Sequence, residues 1–275
     1  MPTGRSRRAG NSPVYAWIRE ACGLQSRIND TLPGAQRVGS GGTTEAIWDY
    51  APSVPAFPIG PEVRAFIWAF DSPQDCLTDA VEANAYKFAE TNSGSGTALA
   101  CQDVVGGGAK FTNGAGDNNY YFYESGAEIA QLVAGYDLWF EIVLQVSDAT
   151  QSDLFAGLCA RLASGNLFDN RVDCVGFRKD DGDTDIDLET DVSGSTATSA
   201  TAKGTLADAA DISLGFHYRG DQERVYFFID NAYVYSIATT LPTTEMCVSF
   251  GLRNGEGVAK TMTVKIIKLI MEVPK

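Results

Sequence analysis

The chain has 275 residues and a formal net charge of −14, with 44% hydrophobic and 20% charged residues. This length fits one large domain or two small ones, and the hydrophobic content can support a folded core. No stretch approaches the ~20 apolar residues of a membrane-spanning helix, and no apolar signal-peptide run follows the basic N-terminal residues. We therefore expect a soluble globular protein, made in a reducing cytoplasm and without a membrane partner.

The charge is unevenly distributed along the sequence. Residues 1–37 contain six arginines and two acidic residues, which gives +4, so the remaining residues carry −14 − 4 = −18. Nucleic acids are polyanions and would be repelled by this acidic part of the chain. We expect no nucleic-acid partner, and we interpret the basic segment as an arm that docks on another protein.

Residues 1–62 differ in composition from the rest and are predicted to form this N-terminal arm. Residues 1–12 are small, polar and basic, residues 14–24 have the pattern of a short helix, and residues 31–61 are rich in proline and glycine. The last of these segments is either a linker or an extension that lies along a neighbouring subunit. The residues expected to contact the partner are Arg5, Arg7, Arg8, Trp17, Ile18 and Arg19.

From residue 63 onward the apolar residues follow the alternation of β-strands, which predicts one β-sandwich domain over residues 63–275. At least ten short strands and few helical patterns are typical of a sandwich or jelly roll. We expect the strands at 137–146 and 153–160 to pair around the turn 147–152. The predicted strands are 63–70, 85–89, 119–124, 137–146, 153–160, 172–178, 211–218, 224–229, 232–237, 246–252 and 261–273.

Two local details of these strands can be predicted. Asp230 and Asn231 tolerate positive φ and should form a two-residue hairpin turn. In the last strand the apolar residues change phase at Ile266 and Ile267, and a period of two cannot change faces without an extra residue. We therefore expect a β-bulge there.

The segment 180–191 (DDGDTDIDLETD) is the most acidic part of the sequence. As a strand it would place its carboxylates on one face and Thr184, Ile186, Leu188 and Thr190 on the other. One interpretation is a solvated edge strand whose like charges prevent edge-to-edge aggregation. A second is a surface for an arginine-rich partner, such as the arm of a neighbouring copy. A third is a calcium site, for which the candidate ligands are Asp183, Asp185 and Asp187.

Within this segment, DIDLE (185–189) resembles the E-x-D-x-E signature of family-16 glucanases. There, carboxylates on one strand act as nucleophile and as acid/base. In this sequence the nucleophile position is Asp185 instead of glutamate, and no aromatic residue of the segment could hold a sugar. We therefore predict no catalytic residue and no enzymatic activity.

The remaining reactive residues give little sign of a site. The single histidine, His217, lies in a predicted strand without a nearby serine or cysteine motif, which favours a structural role. The six cysteines have no C-x-x-C spacing, which argues against zinc or redox chemistry. We expect them to be mostly buried small hydrophobic residues, and we expect no cofactor.

The runs 137–158, 175–190, 211–237 and 241–269 resemble the concanavalin-A-like sandwich proteins of tailed bacteriophages, most tellingly in the spaced blocks GF, FFIDN, LP and GLRNGEG. The resemblance covers roughly residues 100–273. It implies an all-β, concanavalin-like jelly-roll sandwich with an extended N-terminal arm. These blocks belong to strands and turns, so they identify a framework and not a site.

The resemblance also implies a function. It points to a virion structural protein, a capsid decoration or cement protein on the capsid surface. Its expected partners are the major capsid protein and copies of itself, with a trimer favoured by analogy with other decoration proteins. A tail-fibre or head-fibre module that binds glycans is the alternative, and a glycoside hydrolase is a third.

Overall fold

A computed structural model describes residues 63–70, 87–102, 107–194 and 196–272. These residues form two antiparallel β-sheets packed face to face, which confirms the predicted all-β sandwich. The predicted arm, including the helix at 14–24, lies outside the described residues. Within the described part of the chain, no helix is long and apolar enough to span a membrane.

One sheet has eight strands in the order β13-β12-β11-β6-β15-β4-β3, with β1 also pairing with β15. Its strands are β1 (Val63–Trp68), β3 (Thr97–Cys101), β4 (Ala109–Thr112), β6 (Leu138–Val146), β11 (Ile212–Arg219), β12 (Arg224–Ile229), β13 (Ala232–Ile237) and β15 (Thr261–Glu272).

The other sheet has seven strands in the order β10-β9-β8-β7-β14-β5-β2. Its strands are β2 (Phe88–Asn92), β5 (Tyr120–Ser125), β7 (Ser152–Cys159), β8 (Cys174–Lys179), β9 (Asp185–Val192), β10 (Thr196–Thr205) and β14 (Cys247–Asn254).

The core lies between the sheets and consists of alternate residues of each strand. Leu138, Phe140, Ile142 and Leu144 of β6, for example, are fully buried against the opposite sheet. Successive side chains of a strand point to opposite faces, so the intervening residues lie on the outer surfaces of the sandwich. Those two outer surfaces are where a functional site can be built.

Two predicted details of the strands are confirmed. Asp230 and Asn231 both have positive φ, 50° and 62°, and join β12 to β13 in a hairpin. The pairing of β15 with β6 shifts register between Val264 and Ile266. This is the predicted bulge, and it lies one or two residues earlier in the sequence than expected.

The expected pairing of residues 137–146 with 153–160 is wrong. These strands are β6 and β7, and they lie in different sheets: β6 pairs with β11 and β15, while β7 pairs with β8 and β14. The turn between them carries the chain from one sheet to the other. Short loops suggest hairpins, but a sandwich can also use them for such crossings.

Candidate functional site

The acidic segment forms β9 from Asp185 onward, where its alternation agrees with the prediction, whereas residues 180–184 precede the strand in a turn. Ile186, Leu188 and Thr190 are fully buried on the core side. The acidic residues lie on the outer surface of the seven-stranded sheet, which we call the seven-strand face. However, β9 pairs with β8 on one side and β10 on the other, so the interpretation as an edge strand is wrong.

The part of the seven-strand face around Glu189 is not solvated. Glu189 is only 3% exposed. Its carboxylate accepts two hydrogen bonds from Arg171, at 2.7 Å from Nε and 2.9 Å from Nη2, and a second guanidinium, that of Arg178, lies 3.3 Å away. Burial raises the pKa of Glu189, but the hydrogen bonds and charge of Arg171 outweigh it and hold the pKa below its usual value.

Arg178 connects two further acidic residues to this pair, Asp187 of β9 and Asp180, which precedes the strand. Its Nη2 lies 3.2 Å from Asp180 and 3.5 Å from Asp187. The second oxygen of Asp187 accepts the backbone N–H of Ala202 at 2.9 Å. Two arginines of this chain, Arg171 and Arg178, therefore already bind acidic residues of β9.

The three calcium candidates are not gathered around a common point. Asp183 accepts the backbone N–H of Asp185, and Asp187 is engaged by Arg178 and Ala202. Among the described residues, no group of three or more histidine, cysteine, aspartate or glutamate side chains is arranged to hold a metal ion.

Arg171 comes from a loop, residues 160–173, that joins β7 to β8 and that we call the covering loop. Leu167 and Phe168 of this loop pack with Phe122 and Phe155, which forms a second hydrophobic cluster outside the main core. The side chain of Asn166 accepts the backbone N–H groups of Phe168 and Asp169 and fixes the turn that presents them. The guanidinium of Arg171 lies 5.5 Å from the centre of the Phe155 ring.

A second charged group lies at the margin of the covering loop. Arg253 donates to Asp153 at 2.7 Å and to Asp169 at 2.8 Å, and its guanidinium lies 5.2 Å from the Phe168 ring. Tyr120 packs beside Phe168. Sequence patterns did not predict these contacts, because they join residues that are 84 and 100 positions apart.

Three free cysteines lie side by side on the seven-strand face. Cys247 of β14 is paired in register with Cys159 of β7, and Cys159 is paired with Cys174 of β8. All three are buried, as expected. Cys101 is disulfide-bonded.

The outer surface of the eight-stranded sheet contains His217, Tyr226 and Tyr233. His217 is buried and lies 3.0 Å from Asp137. At the sheet edge, Tyr233 and Tyr235 of β13 are 46% and 43% exposed. Tyr226 lies 6.2 Å from Tyr233, whereas Tyr235 is paired beyond a register shift with the core residue Phe227, and the ammonium of Lys203 of β10 lies 4.9 Å from its ring. We call Tyr226, Tyr233 and Tyr235 the tyrosine edge.

The predicted partner-binding residues of the arm, Arg5, Arg7, Arg8, Trp17, Ile18 and Arg19, lie outside the described residues, so their contacts remain a prediction.

No family model and no curated protein matches this chain. Solved structures do share its fold. A protein of unknown function from Shewanella oneidensis MR-1 has 12% sequence identity and a TM-score of 0.52, over 79% of this chain and 90% of that one. An endo-1,3-β-glucanase from Streptomyces sioyaensis has 12% identity and a TM-score of 0.51, over 80% and 100%.

The carbohydrate recognition domain of Emp47p has 10% identity and a TM-score of 0.50, over 74% of this chain and 97% of that one. The chain therefore has the concanavalin-A-like sandwich that lectins and glucanases share, as expected. At these identities the likeness establishes the fold alone.

Proposed function

We propose that this protein is a non-enzymatic virion surface protein, a capsid decoration protein that binds the major capsid protein lattice. The observation that best supports a binding role is the state of Glu189. This carboxylate occupies the acid/base position of the glucanase-like signature, yet it is buried and bound by Arg171 through two hydrogen bonds.

Glycoside hydrolysis needs two carboxyl groups about 5–10 Å apart, one of which has a raised pKa so that it can act as an acid. The pKa of Glu189 is lowered instead. Burial raises the pKa of Glu124 on the same face. However, β5 and β9 are separated by four strand spacings, about 19 Å in all. The residue at the acid/base position of the signature therefore lacks the raised pKa that an acid catalyst needs, which supports a non-enzymatic role.

The covering loop adds a second argument. It places Leu167, Phe168 and Arg171 over the middle of the seven-strand face, where a polysaccharide would have to lie to reach Glu189. Because the covering loop of the same chain occupies this face, the face is better suited to a rigid structural role than to the binding and release of substrate. The sandwich then serves as a stable body that the arm attaches to a larger assembly.

The sequence supports the capsid as that assembly. Residues 1–37 carry +4 on an otherwise acidic chain, and the strand and turn blocks resemble sandwich proteins of phage virions. An arm that binds a neighbouring subunit links several weak contacts. Once one of them has formed, the next forms at a high effective concentration. We expect the assembled form to be a homo-oligomer, with a trimer favoured.

The test is co-sedimentation with intact heads. The full chain should co-sediment, and a chain without residues 1–30 should remain folded by circular dichroism but stay in the supernatant. A matched control in which Lys265 is changed to Ala, a substitution on the sandwich, should co-sediment like the full chain. Equal binding by the shortened chain would refute the arm as the anchor, and cryo-EM of decorated heads would show whether it crosses between copies.

A specific observation favours glycan binding as a second candidate. In the described part of the chain, Tyr233 and Tyr235 are two of the four large hydrophobic side chains that are exposed, and the ammonium of Lys203 lies 4.9 Å from the Tyr235 ring. Exposed aromatic rings beside polar groups are suited to stacking against sugars. A glycan array with the full chain tests this, with the double substitution Tyr233→Ala and Tyr235→Ala as the variant that should lose binding. Identical array signals for both proteins would exclude the tyrosine edge as a glycan site.

A further inference from the structure

The row of cysteines on the seven-strand face contains two different kinds of neighbour pair. The backbone N–H of Ala160 donates to Asp173 O at 3.1 Å, so residues 160 and 173 form a hydrogen-bonded pair of the ladder. Paired positions alternate in an antiparallel ladder, and Cys159 and Cys174 therefore occupy the next, non-hydrogen-bonded position.

The other neighbour pair is of the opposite kind. The backbone N–H of Gly255 donates to Gln151 O at 3.0 Å, so these two residues form a hydrogen-bonded pair. Such pairs recur at every second position of the ladder, and Cys247 and Cys159 lie an even number of positions away. These two residues thus form a hydrogen-bonded pair. Opposite Cα atoms are about 5.5 Å apart in such a pair and about 4.5 Å apart in a non-hydrogen-bonded pair, where the side chains lie closer.

We propose that Cys159 and Cys174 form a cross-strand disulfide when the protein meets a small-molecule disulfide oxidant, and that Cys247 stays a thiol. Both Cα separations lie within the range of 4.4–6.8 Å seen in disulfides, but opposite Cβ atoms are closer in a non-hydrogen-bonded pair, about 4.5 Å apart, which is nearer the about 3.5–4.5 Å that a disulfide needs. Both sulfurs are engaged only in weak contacts, Cys159 Sγ with Val172 O at 3.3 Å and Cys174 Sγ with Glu189 Oε1 at 3.5 Å.

The chemistry is thiol–disulfide exchange. One thiolate attacks oxidised glutathione, which forms a mixed disulfide and expels one glutathione thiolate. The second cysteine thiolate then attacks the mixed disulfide and releases the second glutathione. The protein loses two hydrogen atoms, and the oxidant gains them as two glutathione thiols.

The bond would close a ring at the base of the covering loop. Residues 160–173 lie entirely between the two cysteines, and Arg171, the partner of Glu189, is among them. A disulfide at this point restricts the opened states of the loop and keeps it on the seven-strand face. This inference does not depend on the capsid role, although a protein released from cytoplasm into an oxidising medium would meet such an oxidant.

The reaction should be slow, because thiolate is the reactive species. Burial raises the pKa of Cys159 to about 12 and raises that of Cys174 above its usual value. The covering loop must therefore open before the oxidant can enter, so the rate reports on loop opening.

The experiment is incubation of the reduced full chain with oxidised glutathione, followed by alkylation of the remaining thiols and a non-reducing peptide map. The expected product is a peptide pair joined through Cys159 and Cys174, with Cys247 alkylated. The variants Cys159→Ser and Cys174→Ser should each lose this pair, and the control Cys247→Ser should keep it. Oxidised wild type should also be cleaved more slowly within residues 160–173 by a protease, an effect absent from both variants.

A bond between Cys159 and Cys247 would overturn the proposal, as would a bond between two molecules. Persistence of both thiols after an incubation that fully oxidises an unfolded sample would do the same. None of these outcomes bears on the proposals of capsid binding or glycan binding, which are tested separately.

Discussion

The indole ring of Trp139 stacks on the imidazole of His217, with ring centroids 4.6 Å apart and planes inclined by 13°. The imidazole is also 3.0 Å from Asp137, whose other oxygen accepts the backbone N–H of Gly220 at 2.9 Å. The only histidine of the chain is thus fixed by a ring on one side and a carboxylate at its edge. This arrangement fits a structural role, because Asp137 ties the start of β6 to the end of β11.

The first prediction concerns Asp137→Asn. Burial raises the pKa of Asp137, but the hydrogen bonds from His217 and Gly220 outweigh it and lower the pKa below its usual value. A depressed pKa stabilises the fold above the unfolded-state pKa, and this contribution is lost as pH falls through the folded-state pKa. We expect the variant to lose about 1–3 kcal/mol of unfolding free energy at pH 7 and much less near pH 3.

Urea denaturation at the two pH values measures this difference. Asp221→Asn is a matched control, since Asp221 forms an exposed ion pair with Arg219 and should change stability by less than about 1 kcal/mol. A loss that is the same at both pH values would contradict the assignment to the ionised carboxylate.

The second prediction concerns the pair Arg171 and Glu189. Replacing Arg171 by Met removes the closer of the two arginines that neutralise the buried Glu189 and leaves only Arg178 at 3.3 Å, so we expect a cost at or below the about 3–5 kcal/mol typical of a broken buried pair. The double variant Arg171→Met, Glu189→Met should be more stable than Arg171→Met alone, because it also removes the buried carboxylate that Arg171 no longer binds. Guanidinium denaturation of the single and double variants measures the coupling, and strict additivity would show that the two side chains do not interact energetically.

The third prediction concerns two glycines that face each other. Gly157 of β7 is paired with Gly176 of β8, and a methyl group on Gly157 would overlap Val175 O and come within 2.6 Å of the Gly176 Cα. We expect Gly157→Ala to destabilise the fold by about 2–4 kcal/mol through overpacking.

Gly257→Ala is the matched control, since no atom lies within 4 Å of the added methyl group. It should stay within about 0.5 kcal/mol of wild type. Thermal unfolding of both variants makes the comparison, and a Gly157→Ala protein as stable as the control would mean that β7 and β8 can separate at little cost.

The strands were predictable where local pattern determines them. The segments 224–229 and 232–237 coincide with β12 and β13, because alternating apolar residues flank a turn that needs positive φ. Strand β10 was not predicted: its sequence TATSATAKGT has almost no large apolar residue. It is held by pairing with β9, and pairing between sequence segments cannot be read from one segment's composition.

The site was less predictable than the fold. The acidic face of β9 followed from alternation, but its burial did not, because the arginine that binds Glu189 lies 18 positions earlier in a loop without a recognisable pattern. The alignment of three cysteines likewise depends on the register of β14, β7 and β8. Long-range register is set by packing of the whole sandwich, not by spacing along the chain.

Strand β15, the last of the described chain, pairs with β1, β4 and β6. During synthesis, none of these pairings can form until β15 has left the ribosome. The eight-stranded sheet is therefore completed late, through contacts between strands that are far apart in the sequence, and such distant contacts slow folding. Until then the nascent chain exposes apolar strands, so its yield in a cell should depend on protection by chaperones more than on the stability of the finished sandwich.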